Sequence, residues 1–246
     1  LTLYKGDSLG EISPEMGGII INSIGRDMIA LSNGQEKHKG EEFDVDIYST
    51  PYQEGMMRLA IQRHFETERA NFMRTQKIKT LALFFIEDIA SFRGDGEGKN
   101  AWLRDTFEQL LRERLEQEIN NTAENSQDYA QFLQASLDNI KECSAGYFAQ
   151  DNSDKDEDVA HEVDDILRNK KHLLQFRNDD GSWNVRRFLF SKWTLKEGWD
   201  NPNVFTIAKL RSSGSETSKL QEVGRGLRLP VDEYGNRIGG DRFMLH

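Results

Sequence analysis

The run Lys79-Thr-Leu-Ala-Leu-Phe-Phe-Ile86 sets the tightest limit on what this 246-residue chain can fold into. It is continuously apolar and flanked by charge. A strand with one wet face alternates apolar and polar side chains, whereas a strand covered on both faces does not. The run therefore predicts a central strand of a parallel sheet. Arg187–Ser191 and Val204–Ala208 read as further strands, with shorter ones at Ala145–Ala149 and Phe243–Leu245.

Helical patterns alternate with these strands. Pro51 opens one that carries Met57, Ile61, Phe65 and Phe72 on a single stripe. His64 sits beside that stripe and reads as a packing histidine rather than a ligand or base. Leu103, Phe107, Leu110 and Leu111 mark a second helix. Tyr129, Phe132, Leu133, Leu137 and Ile140 mark a third, after the polar stretch 120–127. An acidic loop at 151–158 precedes a helix over Val159–Leu174, with Val163, Ile166 and Leu173 inward. A last helix, Thr217–Leu229, is stopped by Pro230. Strands alternating with helices predict an α/β fold, a parallel sheet flanked by helices. Residues 1–50 differ: Leu1–Tyr4, Gly18–Asn22 and Met28–Leu31 read as short strands joined by turns, a small β-rich appendage.

Composition excludes several classes. With 14 Phe and 4 Trp the chain has the material for a core. No apolar run approaches the roughly 18–20 residues that cross a bilayer, so no membrane partner is expected. One cysteine, Cys143, excludes a disulfide scaffold, and the five scattered His suggest no metal site. A reducing, cytoplasmic setting fits. The net charge is −10, yet residues 181–246 hold 11 Lys/Arg against 7 Asp/Glu, which permits a local phosphate site in an acidic protein. The chain begins at Leu1 and stops at what reads as the start of a strand, so a piece of something longer is expected.

Gly94-Asp-Gly-Glu-Gly-Lys99 imitates a phosphate loop but is one residue short, and Asn100 stands where a Mg²⁺-holding hydroxyl belongs. It reads as a solvated turn. More informative is Lys219-Leu-Gln-Glu-Val-Gly-Arg-Gly-Leu-Arg228. On a helix, Leu220, Val223 and Leu227 share one face, and Gln221, Arg225 and Arg228 share another. Gly224 and Gly226 flank Arg225, although each helix-interior glycine costs about 1 kcal/mol against alanine. Close approach by a ligand or backbone explains them, and paired guanidinium groups suit phosphate. The second segment is Phe190-Ser-Lys-Trp-Thr-Leu-Lys-Glu-Gly-Trp-Asp-Asn-Pro-Asn-Val204. It follows a strand, and loops after parallel strands are where α/β sheets bind ligands.

Taken together, Gly198-Trp-Asp-Asn-Pro-Asn-Val204, a strand, and then Gln221 to Arg228 resemble motifs V and VI of the second motor domain of superfamily-2 helicases. The fuller wording, Ser191–Phe205 and Lys209–Pro230, resembles the Res (restriction) subunit of type III restriction–modification enzymes. Ala82–Ile86 looks like motif IV, and His64-Phe-Glu66 and Gly146-Tyr-Phe148 are also similar to that family.

The resemblance implies that residues 51–246 are a second RecA-like domain with a helical insertion at about 100–142. Residues 1–50 would then be an appendage or linker to a first motor domain. It implies that Arg225, Arg228 and Gln221 act on ATP held with Mg²⁺ by that first domain. Gly198, Asp200 and Gly224 would line the nucleotide side, and Lys192, Trp193 and Thr194 the DNA backbone. Phe85 to Asp88 would contribute as motif IV. Lys192 departs from the Thr common there in other superfamily-2 members. The implied partners are the first RecA-like and nuclease domains of the same chain, a modification (methyltransferase) subunit and double-stranded DNA. With no phosphate loop or nuclease motif of its own, the chain alone is expected to bind no cofactor and to be inactive. Two alternatives stay open: a superfamily-2 DNA repair or remodelling helicase, and a non-enzymatic adaptor with a motor-like fold.

Overall fold

The computed structural model describes residues 1–17, 19–32, 36–42, 50–86, 89–94, 100–122, 126–148, 170–191, 201–210, 229–239, 243 and 246. Its centre is a four-stranded parallel sheet. β4 (Leu81–Phe85), β5 (Ser144–Tyr147), β6 (Phe188–Ser191) and β7 (Val204–Lys209) lie in the order β5-β6-β4-β7. β4 is internal, and each of its side chains is at most 1% exposed, as the uninterrupted apolar run requires.

Period-2 alternation divides the strands between two cores. Ala82, Phe84, Phe188, Phe190 and Ala208 belong to one, and Leu81, Leu83, Phe85, Leu189 and Val204 to the other. The first core is closed by α1 (Thr50–Phe72), α3 (Trp102–Asn121) and α4 (Gln127–Asp138). Phe107 of α3 meets Phe84, Phe188 and Phe190 edge-on, with ring centroids 5.0–5.5 Å apart. Between β4 and α3 lies the short α2 (Ile89–Arg93). The second core takes Leu173 from α5 (Lys170–Leu174). The split follows from the crossovers. From β4 the chain moves past β6 to β5, and from β5 it returns, so same-handed connections put their helices on opposite faces. This is an α/β architecture consistent with a RecA-like domain.

α1 starts at Thr50, with Pro51 in a first turn whose N–H groups have no helical partner in any case. Met57, Ile61, Phe65 and Phe72 are all buried, as their spacing predicts. In β5, a Cβ at Gly146 would collide with the Phe148 ring, so this strand needs a glycine there. His246 adds to the outer edge of β7. Its N–H donates to Phe205 O and its carbonyl accepts from Ile207 N, both at 2.8 Å. The expected strand at Phe243–Leu245 otherwise lies largely outside the described residues.

The N-terminal residues form a separate antiparallel sheet of β1 (Ile21–Ile24), β2 (Met28–Leu31) and β3 (Glu36–His38), with its own cluster of Leu9, Met16, Ile19, Ile21 and Leu31. Two expectations are corrected here. Leu1–Tyr4 is not a strand but leads into a turn, in which Tyr4 N donates to Asp7 Oδ2 at 2.7 Å. The third strand is the polar Glu36–His38, which carries no apolar signal. Ile140, expected at the end of α4, instead begins a short 3-10 turn, Ile140–Cys143. Among the described residues, no helix is long and apolar enough to cross a membrane.

Candidate functional site

Because the four strands are parallel, their carboxyl ends form one rim. Register sets the row: Phe85 pairs with Ser191 on one side and with Lys209 on the other, and Tyr147 pairs with Ser191. Residues 192–200 follow directly after Ser191, and residues 211–228 begin two positions after Lys209. Both chemistry-bearing segments therefore leave the side of the sheet where α/β proteins bind ligands.

Every residue expected to do chemistry or touch DNA lies outside the described residues: Lys192, Trp193, Thr194, Gly198, Asp200, Gln221, Gly224, Arg225 and Arg228. So do Glu87 and Asp88 of the motif IV end, residues 95–99 of the false phosphate loop, and the acidic loop with most of the helix expected over Val159–Leu174.

The structure does describe how these segments are anchored. Asn203, fully buried, precedes β7. Its main-chain carbonyl accepts from Leu81 N at 2.8 Å, which joins it to β4. Its main-chain N–H donates to Asn201 Oδ1 at 3.1 Å, a local Asx turn. Its side chain bonds Val231 twice: Nδ2 donates to Val231 O and Oδ1 accepts from Val231 N, each at 2.9 Å. The residues after the first segment are thus clasped to those after the second.

Val231 opens a tight turn. Asp232 Oδ1 accepts from Tyr234 N at 3.0 Å and Asn236 N at 2.8 Å, and Gly235 takes a positive φ of 87°. Burial pushes the Asp232 carboxyl up, but hydrogen bonds from Asn236, Tyr234 and Gly235 outweigh it and hold it below the usual range. The turn is closed by Ile238 N donating to Pro230 O at 3.0 Å, and Ile238 packs with Ile78 and Phe205.

A second polar constellation lies at the other end of β6. Arg187, immediately before that strand, is fully buried. Its Nε is 2.6 Å from Glu68 Oε2, and its Nη1 donates to Ser136 Oγ at 3.0 Å and Val185 O at 2.8 Å. Glu68 also pairs with His64 Nε2 at 3.1 Å and accepts from Tyr129 OH at 3.2 Å. The guanidinium stacks 4.7 Å from the Phe132 ring centroid.

Burial lowers the His64 pKa, with Arg187 adding to the effect and Glu68 opposing it, so the imidazole is neutral. Burial pushes Glu68 up, but Arg187, His64 and Tyr129 more than offset it and keep the carboxylate ionised. Nearby Lys79, whose Nζ donates to Gln175 O at 2.7 Å, is driven well below the ordinary lysine range by burial and by Arg187. The cluster joins α1, α4 and the start of β6, with His64 Nδ1 and Arg187 Nη2 left without a hydrogen-bond partner. Its chemistry is that of a staple. His64 is the packing histidine its position predicts.

Sequence reasoning missed Glu68, Arg187 and Asn203. Glu68 left a trace: it continues the stripe of Met57, Ile61, Phe65 and Phe72, so a carboxylate was due on a buried face. Arg187 and Asn203 left none, because their partners are distant in sequence.

Comparison with known proteins then places the chain. No family model matches it. It is 49% identical, over 95% of its length, to the StyLTI Res subunit of a type III restriction–modification enzyme from Salmonella typhimurium. It is 43% identical over 99% to the EcoP15I Res subunit of Escherichia coli, and 42% identical over 99% to the EcoPI Res subunit of an Escherichia phage. Its homologues are type III Res subunits. The chain spans 24% of the length of each of these relatives.

Proposed function

We propose that this chain is part of the Res subunit of a type III restriction–modification enzyme and forms its second RecA-like motor domain, residues 51–246. The observation that carries this reading is the 42–49% identity to Res subunits over 95–99% of the chain. The parallel sheet supports it, since both motif-bearing segments follow strands that end on one rim. The repair-helicase and adaptor readings lack comparable support.

In this reading the donor set suits the terminal phosphate of a nucleotide and no more of it. Two guanidinium groups and an amide are offered, while the phosphate-cradling loop belongs to the first motor domain of the longer protein. ATP with Mg²⁺ supplies the phosphoryl bond whose hydrolysis drives movement or communication along double-stranded DNA. Arg225 and Arg228 neutralise charge that grows on the equatorial oxygens in the transition state. Gln221 orients the nucleotide or the attacking water, and Gly224 lets the Arg225 backbone approach closely. Gly198 and Asp200 couple the nucleotide side to Lys192, Trp193 and Thr194 on the DNA side. The parent is then a cytoplasmic, ATP-dependent site-specific deoxyribonuclease acting with its modification subunit. The α3–α4 pair is an insertion and residues 1–50 an appendage. This chain alone hydrolyses no ATP.

The test is DNA-stimulated ATP hydrolysis by the full-length subunit with its modification subunit, unmodified against Arg225→Ala. Arginine fingers contribute about 10³–10⁵ in rate, so a loss of that order with DNA binding retained is expected. Unchanged turnover would remove Arg225 from the nucleotide site.

A further inference from the structure

We propose that the turn from Pro230 to Ile238 is a docking arm that seats Tyr234 in another domain of the same subunit. The inference rests on the reading above of this chain as the motor part of a longer Res subunit. Among the described large apolar side chains outside the N-terminal sheet, the two most exposed are Tyr234, at 82%, and Leu229, at 59%. They lie five residues apart, Leu229 at the base of the arm and Tyr234 at its tip.

The rest of the arm is fixed. Val231 pairs with Arg237 across it, Asn203 bonds both main-chain groups of Val231 at 2.9 Å, and Ile238 packs with Ile78 and Phe205. At the tip the buried Asp232 carboxylate accepts from Tyr234 N at 3.0 Å, Asn236 N at 2.8 Å and Asn236 Nδ2 at 3.0 Å. Gly235 supplies the positive φ that closes the turn. The Tyr234 ring takes part in none of these contacts. It is a large aromatic presented to water on backbone that has already lost its freedom, which is the form an interface anchor takes, because little ordering remains for docking to oppose.

Placement, charge and area select the partner. Asn203 precedes β7 and accepts from Leu81 N, and Ile78 precedes β4, so the arm hangs at the amino ends of the strands. Nucleotides and substrates of parallel sheets bind at the carboxyl ends. Asp232 and Glu233 outnumber Arg237 on the arm, which disfavours a polyanion such as DNA. A protein surface fits both facts. A tyrosine buries about 150–250 Å². With Leu229 the arm offers a few hundred Å², roughly half of the ~800 Å² per partner that stable complexes between separate proteins bury. A tethered partner needs less, since a linked domain is present at an effective concentration of about millimolar. The chain spans 24% of the length of its Res relatives, so most of such a subunit is available as that tethered partner.

Photocrosslinking in the full-length subunit assembled with its modification subunit tests the arm. Tyr234→p-benzoylphenylalanine should give an intramolecular product that joins the arm to a subunit segment outside this chain. Its yield should change by less than about twofold over a tenfold range of protein concentration, as a tethered contact requires. Gln131→p-benzoylphenylalanine, on the exposed face of α4, should not give it. Tyr234→Ser should speed amide exchange in the joined segment about tenfold or more, and Tyr234→Phe less than about threefold, because the ring carries the contact. Tyr234 is on the surface, so neither change threatens folding. A product with the modification subunit, a second copy, DNA or this chain alone overturns the inference. So does no product, or the same product from both positions. Exchange left unchanged by Tyr234→Ser, or sped equally by Tyr234→Phe, overturns it too. DNA-stimulated ATP hydrolysis by the unmodified subunit separates the two readings. Its absence sinks the motor-domain reading, whereas ordinary hydrolysis beside a failed crosslink sinks only the docking arm.

Discussion

The two ends of β6 solve opposite problems. At its start, Arg187 is buried among Glu68, Ser136, Val185 and the Phe132 ring, and all of these but Val185 come from helices α1 and α4, which close the core. At its finish, Ser191 is followed by residues 192–200, outside the described residues, and then by the Asn201–Asn203 turn. The Arg187–Glu68 pair is buried where the helices converge, and the Asn203 amide where the residues after the two motif-bearing segments meet. A desolvated ion pair is stable only in one geometry and fits a part of the molecule that must not change. The Asn203 amide, neutral itself, fixes Val231 by two hydrogen bonds and adds no further charge beside the buried Asp232 carboxylate.

That contrast can be broken experimentally. The largest effect on folding should come from Arg187→Ala, which strands the Glu68 carboxylate in the core. Removing one partner of a buried pair costs about 3–5 kcal/mol, to be read from denaturant unfolding of the chain. Asn203→Ala leaves Val231 N–H and C=O without their partner and should cost about 1–3 kcal/mol in the same assay. A cost as large as that of Arg187→Ala would erase the distinction between staple and tether. Tyr129→Phe removes one hydrogen bond to Glu68 and should cost roughly 1–2 kcal/mol.

Acid should weaken the start of β6. His64 has a folded pKa below its ordinary 6.5, so below that pH the unfolded chain binds the extra proton and stability falls as pH drops. Glu68, held below its ordinary 4.5, adds a second loss as pH falls further, through its folded value. Each proton contributes a slope of at most about 1.4 kcal/mol per pH unit. Unfolding midpoints between pH 7 and 5 should decline, and His64→Gln should flatten that limb. A slope that survives the substitution would place the titrating group elsewhere. The smallest effect is expected for Arg58→Ala. Its bond to Glu113 joins α1 to α3 at 3.2 Å, but both side chains are about half exposed, and such pairs give roughly 0–1 kcal/mol.

Legibility in the sequence followed burial. β4 and β6 were readable because strands covered on both faces need near-continuous apolar runs, and β7 because Val204-Phe-Thr-Ile-Ala208 is rich in β-branched and aromatic residues. α1, α3 and α4 were readable because a buried stripe repeats at helical spacing. α2 escaped because five residues hold too little of any period, and β3 because Glu-Lys-His pairs through its backbone alone. Leu1–Tyr4 misled because an alternating pattern states only that a strand is possible, and a strand needs a partner edge.

The candidate site divides in the same way. The types and spacing of Gln221, Arg225 and Arg228, and the order of the two segments, belong to the sequence, and their common helix face is an expectation for residues outside those described. The sequence also pointed to buried strands, since apolar runs of about four to eight residues are too short for a typical buried helix. Only the tertiary structure decided that Ser191, Phe85 and Lys209 stand in one row, that Arg187 meets Glu68, and that Asn203 reaches Val231. Those pairings join residues far apart in the chain. They depend on strand order and register, and the hydrophobic pattern that drives burial is indifferent to which covered strand lies beside which.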